Sequence, residues 1–134
     1  GMIPHNVPDP DKEICTWPFT TSYAFFSGAS KTFAPNYQGR STIESTEMLM
    51  QYTVYDYLKR IYFTPVQMLI VEGDEHTPWD LQVNAYNQIG SVRKELAVMT
   101  KATHIGLYAK LDFQVRAAKR NAAFVKKYLI DHQE

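Results

Sequence analysis

The sequence predicts an α/β fold with a small parallel sheet at its centre. A nearly continuous apolar run over residues 66–71 is typical of a strand buried on both faces, which is the usual state of a strand in a parallel sheet. A second apolar run, over residues 95–100, follows a helical pattern, so that strand, helix and strand form a βαβ unit. At 134 residues the chain is long enough for one core, and we expect a single domain over residues 1–134.

The first third of this domain, residues 1–45, is predicted to be irregular and rich in aromatic residues. It contains five of the seven prolines and no clean period of 2 or 3.6, so neither a strand nor a helix is indicated. Residues 23–27 fit a short helix or a short strand equally well. Because so many aromatic side chains are rarely all exposed on a monomer, we expect much of this segment to lie across a surface.

Three helices are predicted in residues 46–134. Ser45 or Thr46, followed by Glu47, indicates a helix start, and a rough apolar face continues to Arg60. Pro78 at a first-turn position and Gly90 after the last turn bracket the crossover helix. The final helix runs to about Ile130, because apolar residues recur at spacings of four and three: Leu111, Val115, Ala118, Ala122, Val125 and Leu129.

Charge and composition exclude several classes of function. Fourteen basic residues balance fourteen acidic ones, so no overall field attracts nucleic acid or an anionic membrane. No apolar run approaches the roughly 20 residues of a membrane helix. The single cysteine, Cys15, excludes an internal disulfide and a cysteine-built zinc site, and it fits a cytoplasmic setting. One basic cluster near the C-terminus is predicted to be a solvated helix face: Lys110, Arg116, Lys119, Arg120, Lys126 and Lys127.

The narrow sheet predicts association. Two strands leave two unpaired backbone edges, and proteins usually cover such edges or pair them with another chain. We therefore expect a homo-oligomer, most simply a two-fold dimer, or a missing N-terminal part of the fold.

Two loops are expected to meet at one edge of this sheet. The first, residues 73–78, carries Asp74 and Glu75, and the second, residues 101–105, carries His104. In open α/β sheets, sites form beyond the carboxyl ends of parallel strands. A carboxylate beside an imidazole is the orienting half of a nucleophile, base and acid system.

Three segments in this order carry a family resemblance. They are TPVQMLIVEGDEHTP (64–78), KELAVMTKATHIGLY (94–108) and AAFVKKYL (122–129). The pattern of a strand ending in glycine with an acidic loop, a helix, a strand ending at a histidine and a closing helix resembles the C-terminal portion of α/β-hydrolase-fold proteins. The preceding residues 47–60 are similar to the helix that leads into the penultimate strand of that fold. The resemblance covers about residues 47–134.

This resemblance implies that His104 is the catalytic general base. The family most often has its acid three residues after the glycine, where this chain has His76. The resemblance therefore leaves Asp74 and Glu75 as candidate catalytic acids, with Asp80 further along.

The sequence contains no GxSxG nucleophile elbow. Residues 27–30, Ser-Gly-Ala-Ser, lack the flanking glycines, and nothing around Cys15 has a strand–elbow–helix pattern. We therefore expect a truncated α/β-hydrolase-like protein without independent catalytic activity.

Two other functions stay open. One is a hydrolase of small esters or amides in which His104 serves a nucleophile from a partner or from an unrecognised residue. The other is a module that binds a small-molecule substrate or ligand in the former cleft without chemistry. His76, His104 and a carboxylate also suit zinc or iron, but no motif of fixed ligand spacing accompanies them, and we expect no metal and no other cofactor.

Overall fold

The computed structural model describes residues 1–131 and shows a mixed α/β protein. Its chain divides into two compact units, Gly1–Tyr52 and Thr53 onward. The predicted fold class is confirmed, because the second unit contains a two-stranded parallel sheet flanked by helices.

The N-terminal unit contains a small antiparallel sheet and two helices. Strands β1 (Met2–Pro4) and β2 (Arg40–Thr42) pair with each other. Helix α1 (Thr20–Lys31) lies between them in the chain, and α2 (Ile43–Gln51) follows β2 directly. Thr42 caps α2, since its hydroxyl oxygen accepts a hydrogen bond from the Ser45 backbone amide at 3.0 Å.

Helix α1 is the part of residues 1–45 that is more regular than the sequence pattern predicts. Its two buried residues are Ser22 and Ala29, which lie seven residues apart and therefore on one helix face. Both are small, whereas the large aromatic side chains of α1 are distributed around the helix. A search for large apolar residues at helical spacing consequently gives no signal here.

The second unit carries the βαβ arrangement. Helix α3 (Tyr55–Leu58) leads to β3 (Val66–Gly73), α4 (Trp79–Gln88) and β4 (Lys94–Thr103). Helix α5 (His104–Ala109) begins at the residue after β4, and α6 (Leu111–Val125) continues as a π-helical turn, Lys126–Ile130. The short α5 is not predicted by the sequence pattern.

The helix predicted over residues 46–60 is wrong in its extent. The structure has α2, ending at Gln51, and the single turn α3, separated by residues 52–54. Tyr52 is extended, with φ −74° and ψ 132°. This break contains Tyr52, Thr53 and Val54, whose aromatic or β-branched side chains lose rotamer freedom in a helix.

Strands β3 and β4 pair in register from Val66 with Lys94 to Val71 with Met99, and then again at Gly73 with Thr103. Between the last two pairs β3 advances by two residues and β4 by four, so β4 contains a bulge. Lys101, inside it, has a φ of 58°, a left-handed conformation that a non-glycine residue adopts at a cost. The bulge brings the end of β4 level with the end of β3.

The core of this unit lies on one side of the sheet. Val71, Met99 and Ala102 pack with Phe113 of α6, and Met99 has no exposed surface. Burial of the adjacent residues Ile70 and Val71 confirms that β3 is covered on both faces at this point, because successive side chains of a strand point to opposite faces.

Helix α6 packs on this core through Phe113 and Ala117, and its predicted apolar stripe faces away. Leu111, Val115, Val125 and Leu129 are 73%, 42%, 45% and 68% exposed. An amphipathic helix ordinarily buries such a stripe, so α6 has a second apolar face without a partner among residues 1–131.

No helix among residues 1–131 combines the length and the apolar character needed to cross a lipid bilayer.

Candidate active site

The carboxyl ends of β3 and β4 approach each other at Gly73. A Cβ atom at this position would lie 2.9 Å from the carbonyl oxygen of Ala102, which is closer than side-chain carbons come to backbone oxygens. Glycine therefore permits the two strand ends to meet. The loops that follow them start side by side.

The β4 loop presents His104 at the first turn of α5. The Thr103 hydroxyl accepts a hydrogen bond from the Gly106 amide at 3.0 Å, which caps the helix. Gly106 in turn has no room for a side chain, because a Cβ would lie 2.8 Å from the Thr103 hydroxyl oxygen. These contacts set the backbone on which the His104 ring is held.

The β3 loop presents Asp74 to that ring. Oδ1 of Asp74 accepts hydrogen bonds from the backbone amides of His76 at 2.9 Å and Thr77 at 2.8 Å, a side-chain turn that folds the loop back on itself. Nδ1 of His104 lies 3.1 Å from both carboxylate oxygens. Since an ionised carboxylate only accepts, Nδ1 of His104 donates, and the lone pair of the neutral ring is on Nε2.

Asp74 is held in its ionised form. Burial alone would raise the pKa of this carboxyl group, whose side chain is 8% exposed. Hydrogen bonds from the Thr77 amide, the His104 ring and the His76 amide outweigh burial, and the pKa of Asp74 lies below its ordinary value. The carboxylate therefore remains charged and can stabilise an imidazolium on His104.

His76 covers the His104 ring. The two imidazole rings stack with centroids 4.4 Å apart and planes inclined by 21°. The Tyr108 ring lies 5.4 Å from that of His104 at 54°. Aromatic neighbours on the ring restrict its rotation, which is what a positioned base requires.

The charge state of His76 is set by burial and by its neighbours. Burial lowers the pKa of His76 first, and the neighbouring His104 lowers it further, while Glu75 and Asp74 act in the opposite direction and do not compensate. Two adjacent imidazolium ions repel each other. His76 therefore favours the neutral state.

The other candidate carboxylates of the second unit do not contact the His104 ring nitrogen that binds Asp74. Glu75 Oε1 lies 3.6 Å from Nδ1 of His76, whereas the carboxylate on His104 Nδ1 is that of Asp74. Asp80 lies in the first turn of α4. In the N-terminal unit, Ser27 and Ser30 lie inside α1, where the Ser30 hydroxyl donates to the Ser27 carbonyl at 3.0 Å, and no elbow is formed.

Within the second unit, no nucleophile accompanies the pair among the described residues 53–131. The hydrogen bonds of the His104 ring in this unit run to Asp74, and no hydroxyl or thiol group of the unit takes one at Nε2. The pair is a carboxylate held on one nitrogen of an imidazole whose other nitrogen is open within this unit.

Asp74, His76 and His104 also form the group that could share a metal ion, with one ligand atom from each within 4.8 Å of the others. Their arrangement suits a metal poorly. His104 already directs Nδ1 to Asp74, and the two imidazole rings lie nearly flat against each other rather than converging on a point. The donor set is therefore better described as a hydrogen-bonded pair covered by a second imidazole.

His76 and Tyr108 are the site residues whose role the sequence does not reveal. The sequence marks His76 as the residue at the usual acid position and as a possible metal ligand, which does not predict that its ring stacks on His104, and it marks Tyr108 only as one turn of helix beyond His104. The spacing of Tyr108 would have placed it beside His104, but this requires knowing that a helix begins at His104.

Comparisons with known proteins show a related fold. No protein-family model matches the chain. A curated protein named thiohydrolase, from Eupenicillium brefeldianum, is 26% identical over 104 residues, which are 78% of this chain and 33% of that protein. A solved structure is described as "The structure of DcsB complex with its substrate analogue". The match covers 95% of this chain and 43% of the chain in that structure, with a TM-score of 0.74 and 20% identity.

At 20% identity the structural match shows the fold alone. The sequence similarity to a thiohydrolase indicates that this fold is hydrolase-like. The chain spans about a third of the curated relative and less than half of the solved chain.

Proposed function

We propose that this chain supplies the carboxylate–imidazole half of an α/β-hydrolase-type active site that cleaves acyl thioesters or esters, and that its nucleophile comes from outside residues 53–131, either from a partner or from a residue that the sequence does not reveal. The contact of Asp74 with Nδ1 of His104, at the carboxyl ends of two parallel strands, carries the proposal. The name of the thiohydrolase relative favours a thioester. Amides are a further class of substrate that the same acyl-transfer chemistry can cleave.

The mechanism needs four proton movements at Nε2 of His104. The nucleophile's proton passes to Nε2 as its oxygen or sulfur bonds to the acyl carbon. The same proton then passes to the thiolate or alkoxide that leaves as the C–S or C–O bond breaks. Water next gives a proton to Nε2, its oxygen bonds to the acyl carbon, and the proton returns to the departing nucleophile.

Asp74 acts on His104 and not on the substrate. It keeps the proton on Nδ1, so that Nε2 is available to receive another, and it stabilises the imidazolium that forms at each transfer. Asp74 occupies the position immediately after Gly73, and under this proposal it replaces the acid that the family usually has at the position of His76.

The chain by itself is expected to be a poor hydrolase. The sequence has no nucleophile elbow, and no hydroxyl or thiol group of residues 53–131 bonds to the His104 ring. Loss of a nucleophile or of an oxyanion donor each reduces the rate by about a hundredfold or more.

Self-association is part of the proposal. Strands β3 and β4 pair only with each other among the described strands, so each has an edge open to another chain. A second copy of the chain can cover apolar surface that a two-stranded sheet leaves exposed.

The state of the His104 ring tests the acid–base pair without an assay of turnover. Imidazole nitrogen chemical shifts at neutral pH should show the proton on Nδ1. Asp74→Asn should redistribute it between the two nitrogens, and the matched control Glu75→Gln should leave it unchanged. A proton on Nε2 in the unaltered chain would contradict the proposal.

An added small thiol can stand in for the missing nucleophile. We expect the chain to accelerate acyl transfer from an activated thioester to that thiol, and His104→Ala to lose the acceleration. General bases contribute about a hundredfold or more when the acceptor is positioned, and less for a freely diffusing thiol. Equal rates for the two chains would count against the proposal.

A complete hydrolase is the second candidate, favoured by the similarity to a thiohydrolase. It predicts turnover of an activated ester without added thiol, labelling of one residue by a fluorophosphonate, and loss of both in His104→Ala. We expect neither turnover nor labelling. A ligand that raises the melting temperature but forms no product would instead favour a binding module.

A further inference from the structure

The exposed stripe of α6 has the spacing of a helix–helix seam. Six apolar residues recur at alternating intervals of four and three, so that each pair of intervals spans seven residues, and this is the repeat of helices that pack side by side. Those at the ends are large and the central ones are small: Leu111, Val115, Ala118, Ala122, Val125 and Leu129.

The seam lies opposite the surface that α6 already uses. Phe113 and Ala117 pack on the core, and Phe124 lines a groove of about 390 Å³ against the sheet. If the stripe residues are positions a and d of a heptad, these three residues occupy positions c and f, on the opposite side of the helix. The stripe itself therefore faces away from the sheet, with Leu111 73% and Leu129 68% exposed.

We propose that the α6 stripe is the dimerisation surface of this chain, and that it packs antiparallel against the α6 stripe of a second copy. The inference rests on the self-association proposed above and is independent of the Asp74–His104 pair. The α-helical part of the seam, from Leu111 to Val125, is about 21 Å long at 1.5 Å per residue, and Leu129 extends it into the π-helical turn. Alanines at its centre allow the two helix backbones to approach closely.

The flanking charges favour the antiparallel orientation. In this orientation Leu111 lies opposite Leu129 of the second copy. The residues directly after Leu111, Ala118 and Val125 in the sequence form one flank of the seam, and this flank faces the same flank of the second copy. Asp112 then lies opposite Lys126 of the second copy, and the symmetry repeats this pair at the other end. Lys119 meets its own copy at the centre, where the like charges are unfavourable. A parallel pairing would instead set these residues against the opposite flank of the second copy, where Gln114 and Asn121 carry no charge.

The apolar part of the seam is tested by Val115→Lys. Val115 is 42% exposed and packs on no core residue, so the substitution should leave the fold intact, which circular dichroism checks. We expect the mass measured by analytical ultracentrifugation to change from dimer to monomer. The matched control is Asn84→Lys, at an exposed position of α4, which should remain dimeric.

A charge swap tests the orientation. Asp112→Lys or Lys126→Asp should each weaken the dimer by about tenfold or more, because both end pairs become repulsive. The double substitution should restore it. Lys126 also forms an ion pair with Asp131 at 2.6 Å, and Asp131→Asn is therefore the control for its loss. Lys119→Ala should tighten the dimer.

A monomeric unaltered chain, or a dimer indifferent to Val115→Lys and to the charge reversals, would overturn the inference. Neither outcome would bear on the protonation state of His104, so the proposed chemistry and the proposed surface fail separately.

Discussion

At the scale of single residues, Asp74 combines a structural and a chemical role. One carboxylate oxygen accepts two backbone amides that fold the loop, and the same group holds Nδ1 of His104. The Asp74 carboxylate therefore holds both the conformation of its loop and the position of the His104 ring. A change at Asp74 is expected to affect both stability and protonation.

Asp74→Asn should lower the free energy of unfolding at neutral pH by about 1–3 kcal/mol, since hydrogen bonds to a charged group are replaced by weaker ones. Because the pKa of Asp74 is lowered in the folded state, its contribution is fully present above the unfolded-state pKa. It is lost as the pH falls through the lower folded-state value. Urea denaturation across the acid range should therefore show a smaller acid loss for the Asp74→Asn variant than for the unaltered chain. If the free energy of unfolding fell with pH equally in the two chains, this prediction would be refuted.

His76 contributes a pH dependence of its own in a higher range. Its pKa is lowered by burial and by His104, so the unfolded chain binds a proton more readily than the folded one. Stability is therefore lost as the pH falls from the ordinary histidine value of about 6.5 towards the lower folded-state value.

His76→Phe should keep an aromatic ring over His104 and reduce this loss, as measured by urea denaturation between about pH 7.5 and pH 5.5. Glu75→Gln should increase the loss, because Glu75 opposes the lowering of the His76 pKa. Parallel stability curves for all three chains would contradict the assignment.

At the scale of elements, the site depends on how two strands end. The bulge in β4 and the close approach at Gly73 bring the Asp74 loop level with the start of α5. Neither the bulge nor the close approach at Gly73 changes the strand pairing from Val66 to Val71. The sheet is therefore expected to tolerate changes that the site does not.

Gly73→Ala should destabilise the chain by about 1–3 kcal/mol through overpacking against the Ala102 carbonyl, and it should also disturb the His104 tautomer. Gly28→Ala is the matched control, because a Cβ there meets nothing within 4 Å. In the interior of α1 it should stabilise by about 0.5–1 kcal/mol. Thermal and urea unfolding of both variants measure the difference. A Gly73→Ala chain as stable as the unaltered one would show that the strand ends can separate without cost.

At the scale of the whole molecule, the short sheet and the exposed α6 stripe both indicate that apolar surface remains to be covered. If a second copy covers it, dissociation accompanies unfolding. The melting temperature should then rise with chain concentration, and differential scanning calorimetry over a wide concentration range measures this. A constant melting temperature would indicate a chain that is stable as a monomer.

The sequence predicts the elements whose signal is local. The apolar run of β3, the Pro78 and Gly90 boundaries of α4 and the alternating four- and three-residue spacing of α6 all lie within a few neighbouring residues. For α1 the sequence indicates only a short helix or strand over residues 23–27, because the buried residues of this helix are the small Ser22 and Ala29. The break after Gln51 is missed because the apolar spacing continues through it.

The sequence by itself determined the α/β class, the order of the parallel strands and the two loops that reach a common edge, because period, length and turn residues encode these locally. It left Asp74, Glu75 and Asp80 as alternatives for the acid, and it did not reveal which face of α6 is buried. Only the tertiary structure decided which carboxylate contacts His104, that His76 stacks on it and that the apolar stripe of α6 faces outward. Each of these depends on how distant backbone segments approach one another, at Gly73 with Ala102 and at Phe113 with Met99, and residue spacing along the chain does not contain that information.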